Sequence, residues 1–204
     1  MGDSECLWLR LFPDGRLIAT DQGSDDRGRG PKDNVPELMF EIKKDAWYGW
    51  PDFIGGIPVT DEQFVPTRGL KLEFILGNHK ELPEPEKPLL KLPANSAAAK
   101  FDILPETHPM YPGQIILALF GDKKPMTATA GLKSGRNISR IDPLDWSRHP
   151  MPELDLDRPI DVKYNRHDDS ILILDFGAFE MSNNGVEAQK GTGKVWKVNA
   201  NDIF

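Results

Sequence analysis

Apolar residues in this chain come in short bursts divided by turn-rich polar stretches, and the bursts recur as a three-part phrase. An apolar strand is followed by a short turn and a second apolar strand ending near Gly. A polar loop and a third strand close the phrase. The first copy runs Leu7–Phe12, the turn Pro13-Asp14-Gly15, Leu17–Gly23 and, after a polar loop, Glu37–Ile42. The second runs Ala98–Ile103, Gln114–Gly121 and Arg136–Asp142, and the third Pro159–Tyr164, Ile171–Gly177 and Gly193–Val198.

Several of these bursts alternate apolar with polar residues, the pattern of a strand with one buried face. In Ile171–Asp175, period two puts Leu172 and Leu174 on one face and Ile171, Ile173 and Asp175 on the other. Bursts that are apolar on both faces suit strands sandwiched between neighbouring sheets, as radial stacking of small sheets produces. The repeats therefore predict an all-β fold, with a propeller preferred to a β-sandwich. The 18 Gly and 18 Pro among 204 residues fit many short strands joined by turns. Between the first and second copies, residues 51–97 are rich in Pro. One strand is predicted there at Leu70–Leu76, and an extended surface loop at Glu81–Pro88. No shift in composition separates two independent cores, so residues 1–204 read as one region.

The net charge of −7 opposes binding to nucleic acid, which needs a basic face. Cys6 is the only cysteine, which excludes an internal disulfide and a thiolate metal cluster. No apolar run approaches the roughly 20 residues of a membrane helix. The start, Met1-Gly2-Asp3-Ser4-Glu5, lacks the basic and apolar segments of a signal peptide.

Asp21–Gly28 follows a strand and concentrates Asp21, Asp25, Asp26, Gly23, Gly28 and Arg27. Carboxylates and backbone carbonyls are the oxygen donors calcium prefers, and Gly lets a backbone approach a ligand closely. A solvated turn is the plain alternative. Trp47–Phe53 is dense in aromatics, which either anchor a loop, the reading favoured here, or form a stacking wall for a planar cofactor or sugar. Asn95-Ser96-Ala97-Ala98 is either a small-residue pocket edge or a turn into a strand. Lys133, Arg136 and Arg158 stand at or just before strand starts. Each reads plainly as an exposed surface cation; at the mouth of a propeller they would hold a carboxylate-bearing cofactor. His79, His108, His149 and His167 lie in polar or Pro-rich loops without metal-ligand spacing and are expected at the surface. Gly191-Thr192-Gly193-Lys194 fails as a phosphate loop, because Ala188 and Val195 occupy required Gly and Ser/Thr positions.

Phe12–Gly23 with Asp25-Asp26 and Trp47-Tyr48-Gly49-Trp50-Pro51, then Asn95–Ala98 with Phe101-Asp102, Ala118–Asp122 and Arg158–Val162, together resemble the pyrroloquinoline quinone (PQQ)-dependent soluble glucose/sorbosone dehydrogenase family. The resemblance runs from about residue 7 to 198. It implies a partial six-bladed β-propeller of about three to four blades, with PQQ and calcium on one face, oxidising a sugar at its anomeric carbon. It places the calcium at the carbonyls of Gly23 and Ser24, an acidic residue near the quinone at Asp26 or Asp25, a cofactor-binding cation at Lys133 or Arg136, and a cofactor-carboxylate Arg at Arg158. The family's catalytic His lies in N-terminal blades that this sequence does not contain, so no catalytic residue is expected here. Such proteins are usually periplasmic or secreted. A homo-oligomer or a separate N-terminal propeller half is the expected partner for the open flanks. A non-catalytic partial propeller that binds carbohydrate or protein is the alternative.

Overall fold

The computed structural model describes residues 5–23, 34–65, 70–122, 133–152, 154–182 and 185–200. Among the described residues the strands form small antiparallel sheets, none of them closed, and the helical content is two single-turn 3₁₀ segments, Glu62–Phe64 and His79–Glu81. No described helix is long and apolar enough to cross a membrane. The described residues fall into two compact units, one within 1–97 and 123–134, the other within 98–122 and 135–204.

In the first unit, β1 (Glu5–Leu11), β2 (Leu17–Gln22) and β3 (Glu37–Glu41) pair in sequence order. The Pro13-Asp14-Gly15 turn is set as its sequence requires. Gly15 takes a φ of +89°, and the Asp14 carboxylate accepts from the Arg16 N–H at 3.0 Å and from its Nε at 2.7 Å. A two-residue ribbon, β4 (Phe53–Ile54) with β5 (Ile57–Pro58), precedes β6 (Leu90–Leu92), which completes the meander β1-β2-β3-β6. β6 escaped the sequence pattern because it is short and embedded in the Pro-rich stretch. The core against β3 contains Val35, Leu38, Phe40, Ile54, Val59, Phe64 and Leu72.

The strand expected at Leu70–Leu76 does not form. That segment is irregular, and only Leu72 of it is buried. The reason lies in its amides. Those of Ile75 and Leu76 each donate to the Asp52 carboxylate at 2.7 Å instead of to a neighbouring strand. A buried acid thus takes hydrogen bonds that a ladder would otherwise have claimed.

The second unit opens with another four-stranded meander, β7 (Ala98–Ile103), β8 (Ile115–Leu119), β9 (Asn137–Ile141) and β10 (Arg148–Pro150). β8 is buried along its whole length. β11 (Pro159–Asn165) and β12 (Ser170–Asp175) form a hairpin, and after the separate hairpin β13 (Phe179–Ser182) with β14 (Gly185–Ala188), β15 (Lys194–Asn199) returns to pair with β12. Ile116, Ala118 and Ile138 from the meander meet Val162, Ile171 and Ile173 from the three-stranded sheet in one core. Along β12 the predicted alternation holds: Ile171, Ile173 and Asp175 are buried, Leu172 is half-buried and Leu174 is exposed.

The chain leaves β12 through Gly177, whose φ is +91°. A Cβ there would lie 2.5 Å from the backbone carbon of Thr192. Gly177→Ala is expected to lose about 2–4 kcal/mol of stability from that clash and the left-handed backbone together. Urea unfolding of the full chain checks this, and a loss under about 1 kcal/mol would contradict the close approach.

Candidate functional site: a buried arginine pair

The sheets of the second unit bring two arginines together out of water. Arg158 stands immediately before β11, and its backbone is held from both sides: its N–H donates to Asp175 Oδ1 at 2.7 Å, and its carbonyl accepts from the Phe176 N–H at 2.9 Å. Asp175 ends the buried face of β12 and also accepts from the N–H groups of Asp157 at 2.9 Å and Gly177 at 3.0 Å, and from the Trp196 indole at 3.3 Å. Burial alone would raise the Asp175 pKa. The amides of Arg158, Asp157 and Gly177 and the indole outweigh it and hold the carboxyl below the ordinary aspartate range.

Arg136 enters β9 from Gly135 with its own backbone in the left-handed region, φ 58°, and its N–H donates to the Leu119 carbonyl at 2.7 Å. The side chains of Arg136 and Arg158 are each 1% exposed. A single carboxylate joins them. Glu180, on β13, accepts from Arg136 Nη2 through Oε1 and from Arg158 Nη2 through Oε2, both at 3.0 Å. Arg158 Nε donates to the Phe179 carbonyl at 2.9 Å, and Asp122 lies 3.7 Å from Arg158 Nη2. The Arg158 guanidinium also lies over the Phe120 ring, 4.9 Å from its centroid. Phe120, Phe176 and Phe179 meet edge to face around it, and Phe176 is exposed.

Arg136 is the unusual member. Its Nε and Nη1 are buried and have no hydrogen-bond partner among the described residues. Burial, then the neighbouring Arg136 charge, push the Arg158 pKa down against the pull of Asp122 and Glu180. An arginine so shifted is still cationic at neutral pH. Guanidinium groups do not release protons there, so the two arginines are suited to holding an anion, as they hold Glu180.

Of the residues singled out in the sequence, Arg136 and Arg158 come together. Their reading as exposed surface cations is overturned, since strand-end backbone bonds turn both side chains inward. Lys133 is exposed and belongs to the first unit. Gly23, also in the first unit, donates its N–H to Glu37 at 2.9 Å and packs so closely that a Cβ would meet Val35 at 2.7 Å. It lines a small groove with Asp21, Val35, Leu38, Tyr48 and Trp50. Ser24, Asp25 and Asp26 lie outside the described residues. Among the described residues, no cluster of three or more His, Cys, Asp or Glu is placed to hold a metal.

The aromatic stretch Trp47–Phe53 anchors its loop. Tyr48 donates its hydroxyl to the Glu41 carbonyl at 3.1 Å and meets Phe40 edge to face, while Trp47 meets Phe53 in the same way. Two histidines depart from the surface reading. His79 is half-buried, with Nε2 2.8 Å from Asp52, because its ring meets Phe53 and Phe74 edge to face. His108 is 3% exposed and accepts the Tyr111 N–H on Nδ1 at 3.1 Å; burial lowers its pKa.

Sequence reasoning missed Glu180 and Asp175 as parts of the site. Asp175 carried a usable signal, since the alternation already set it on the face of Ile171 and Ile173. Glu180 carried none.

No family model, no curated protein and no solved structure matches the chain.

Asp175 yields a test of the frame that holds Arg158. Asp175→Asn sets an amide group among four donors and is expected to cost about 2–4 kcal/mol. The depressed carboxyl contributes stability that is fully present above the unfolded pKa, about 4, and is lost as pH falls through its lower folded value. Urea unfolding across the acid range should show that decline in the wild type and a shallower one in D175N. Equal slopes would contradict the arrangement.

Proposed function

We propose that this chain is part of a β-propeller of the quinoprotein sugar dehydrogenase kind, in which Arg136 and Arg158 hold a carboxylate of a PQQ-type cofactor. Two four-stranded antiparallel meanders in succession, followed by a smaller sheet, are units from which propeller blades are built. The observation that carries the binding role is Arg136, a fully buried cation with two donors unused. Buried donors are normally satisfied, and an incoming carboxylate is the acceptor that fits them.

The site suits such a cofactor on two grounds. Its donors are guanidiniums, which hold planar carboxylates by direct charged hydrogen bonds. The phenylalanines beside them, with Phe176 open to solvent, suit a flat ring system. The family resemblance further assigns the calcium to the carbonyls of Gly23 and Ser24, with Asp25 or Asp26, and a cation to Lys133, all outside the unit that holds the arginines. When bound, PQQ supplies the redox chemistry by which a sugar is oxidised at its anomeric carbon. The residues of this chain contribute binding, orientation and a water-poor wall around the charge. No residue of the arginine site is assigned the base for that oxidation.

A non-catalytic binding module for carbohydrate or protein is the second reading. It is favoured by the makeup of the site, two guanidiniums and three phenyl rings beside carboxylates that are already engaged by the cations.

Titration of the purified chain with PQQ, with and without calcium, separates the readings. Quinone absorbance should remain with the protein after gel filtration, and Arg136→Gln should weaken binding at least about tenfold. Dye reduction by an aldose in the presence of both additions supports the dehydrogenase. Retained quinone without dye reduction supports cofactor binding by a chain that lacks the base, and absence of both signals supports the carbohydrate- or protein-binding module. No retained quinone rejects the cofactor assignment.

A further inference from the structure

The arginine site already contains a carboxylate, and that carboxylate belongs to the chain itself. Glu180 bridges the two guanidiniums with one oxygen on each, as a ligand carboxylate would. The exposures are unequal: the Glu180 side chain is 40% exposed, while each arginine side chain is 1% exposed. Solvent therefore reaches Glu180, while the cations behind it stay covered. Its presence leaves Arg136 Nε and Nη1 without partners, so it serves the pair incompletely.

The element that carries Glu180 is lightly held. β13 and β14 pair only with each other among the described strands, and every residue of β14 is exposed. Their register sets Glu180 directly opposite Glu187, a like-charge pair that weakens the ribbon. Its seat depends on the bonds from Arg136 and Arg158 to Glu180 and from Arg158 to the Phe179 carbonyl, on the Phe179 ring against Phe120 and Phe176, and on Thr192, whose hydroxyl accepts from the Ala178 N–H at 2.9 Å. Charge also permits an exchange. Arg136 and Arg158 face Glu180 and Asp122, two cations and two anions. If a ligand carboxylate replaces Glu180, the buried pair never loses its compensation.

We propose that Glu180 is a built-in competitor that occupies the arginine site until the carboxylate of an aromatic acid displaces it, with β13–β14 as the movable cover. This rests on the reading of the arginine pair as a carboxylate site. The preference for an aromatic acid comes from Phe176, exposed at the edge of the ring cluster.

The probe is pyridine-2,6-dicarboxylate, titrated calorimetrically into the full chain, with benzoate and acetate for comparison. Glu180→Gln should bind it at least about tenfold more tightly than the wild type, and the double variant E180Q/R136Q should lose that gain. In the wild type, saturating probe should speed hydrogen exchange of the amides in residues 178–189 as the hairpin leaves its seat. This second measurement decides the matter if E180Q does not fold. Equal affinity of wild type and E180Q with unchanged exchange would overturn the competition while leaving the carboxylate site standing. Absence of binding to both would overturn the site and the competition together. Acetate binding as tightly as the aromatic acids would overturn the assigned ligand class.

Discussion

Two guanidiniums held side by side out of water are the constraint that the second unit has to satisfy. Taking an arginine out of water costs several kcal/mol, and that cost is offset only where partners are fixed in advance. The fixing is done by backbone. Asp175 receives the Arg158 amide at the end of β12, and the Leu119 carbonyl at the end of β8 receives that of Arg136. Both anchors are ends of strands whose apolar faces share one core, so packing of Ile116, Ile138, Ile171 and Ile173 sets where the two charges stand. Glu180 arrives from a hairpin outside those sheets, and it is the replaceable part of the arrangement.

Asp175 belongs to a wider pattern. Small antiparallel sheets leave many strand-end and loop amides without ladder partners, and buried groups of that kind must find acceptors. In this chain buried acids supply them. Asp52 takes the amides of Ile75 and Leu76, Asp102 those of Ile103 and Tyr164, and Glu37 that of Gly23. An acidic composition therefore does not translate directly into an acidic surface. Some of these carboxylates are internal hardware, which limits what net charge alone says about partners.

The strands were legible because their physics is local. Alternation and turn chemistry are properties of neighbouring residues, and nine segments of the repeated phrase correspond to strands within a residue or two of their ends. The failures share one cause, dependence on distant partners. β6 and β10 are too short to show a period, and they exist because β3 and β9 offer open edges. Leu70–Leu76 has the right residues for a strand, but Asp52 claims its amides. The site was legible in half. Arg136 and Arg158 were visible as cations near strand starts, but their burial depends on folds of chain far along the sequence. Glu180 looks like any surface glutamate until the hairpin puts it between them.

The energetics of Arg136 argue that stability did not select it. A non-glycine residue in the left-handed region costs roughly 1–3 kcal/mol, and each buried unsatisfied donor adds about 1–3 kcal/mol. Replacing a buried ionic cluster with packed apolar side chains is often neutral or stabilising. A residue that is strained, incompletely bonded and buried beside a like charge is therefore one that folding alone would not favour. Arg158 differs, because its Nε and Nη2 donors both have acceptors and its ring neighbours cover the cation. The asymmetry assigns the two arginines different parts. Arg158 secures the hairpin by two donors, and Arg136, with one, keeps the donors that the proposed ligand carboxylate would engage.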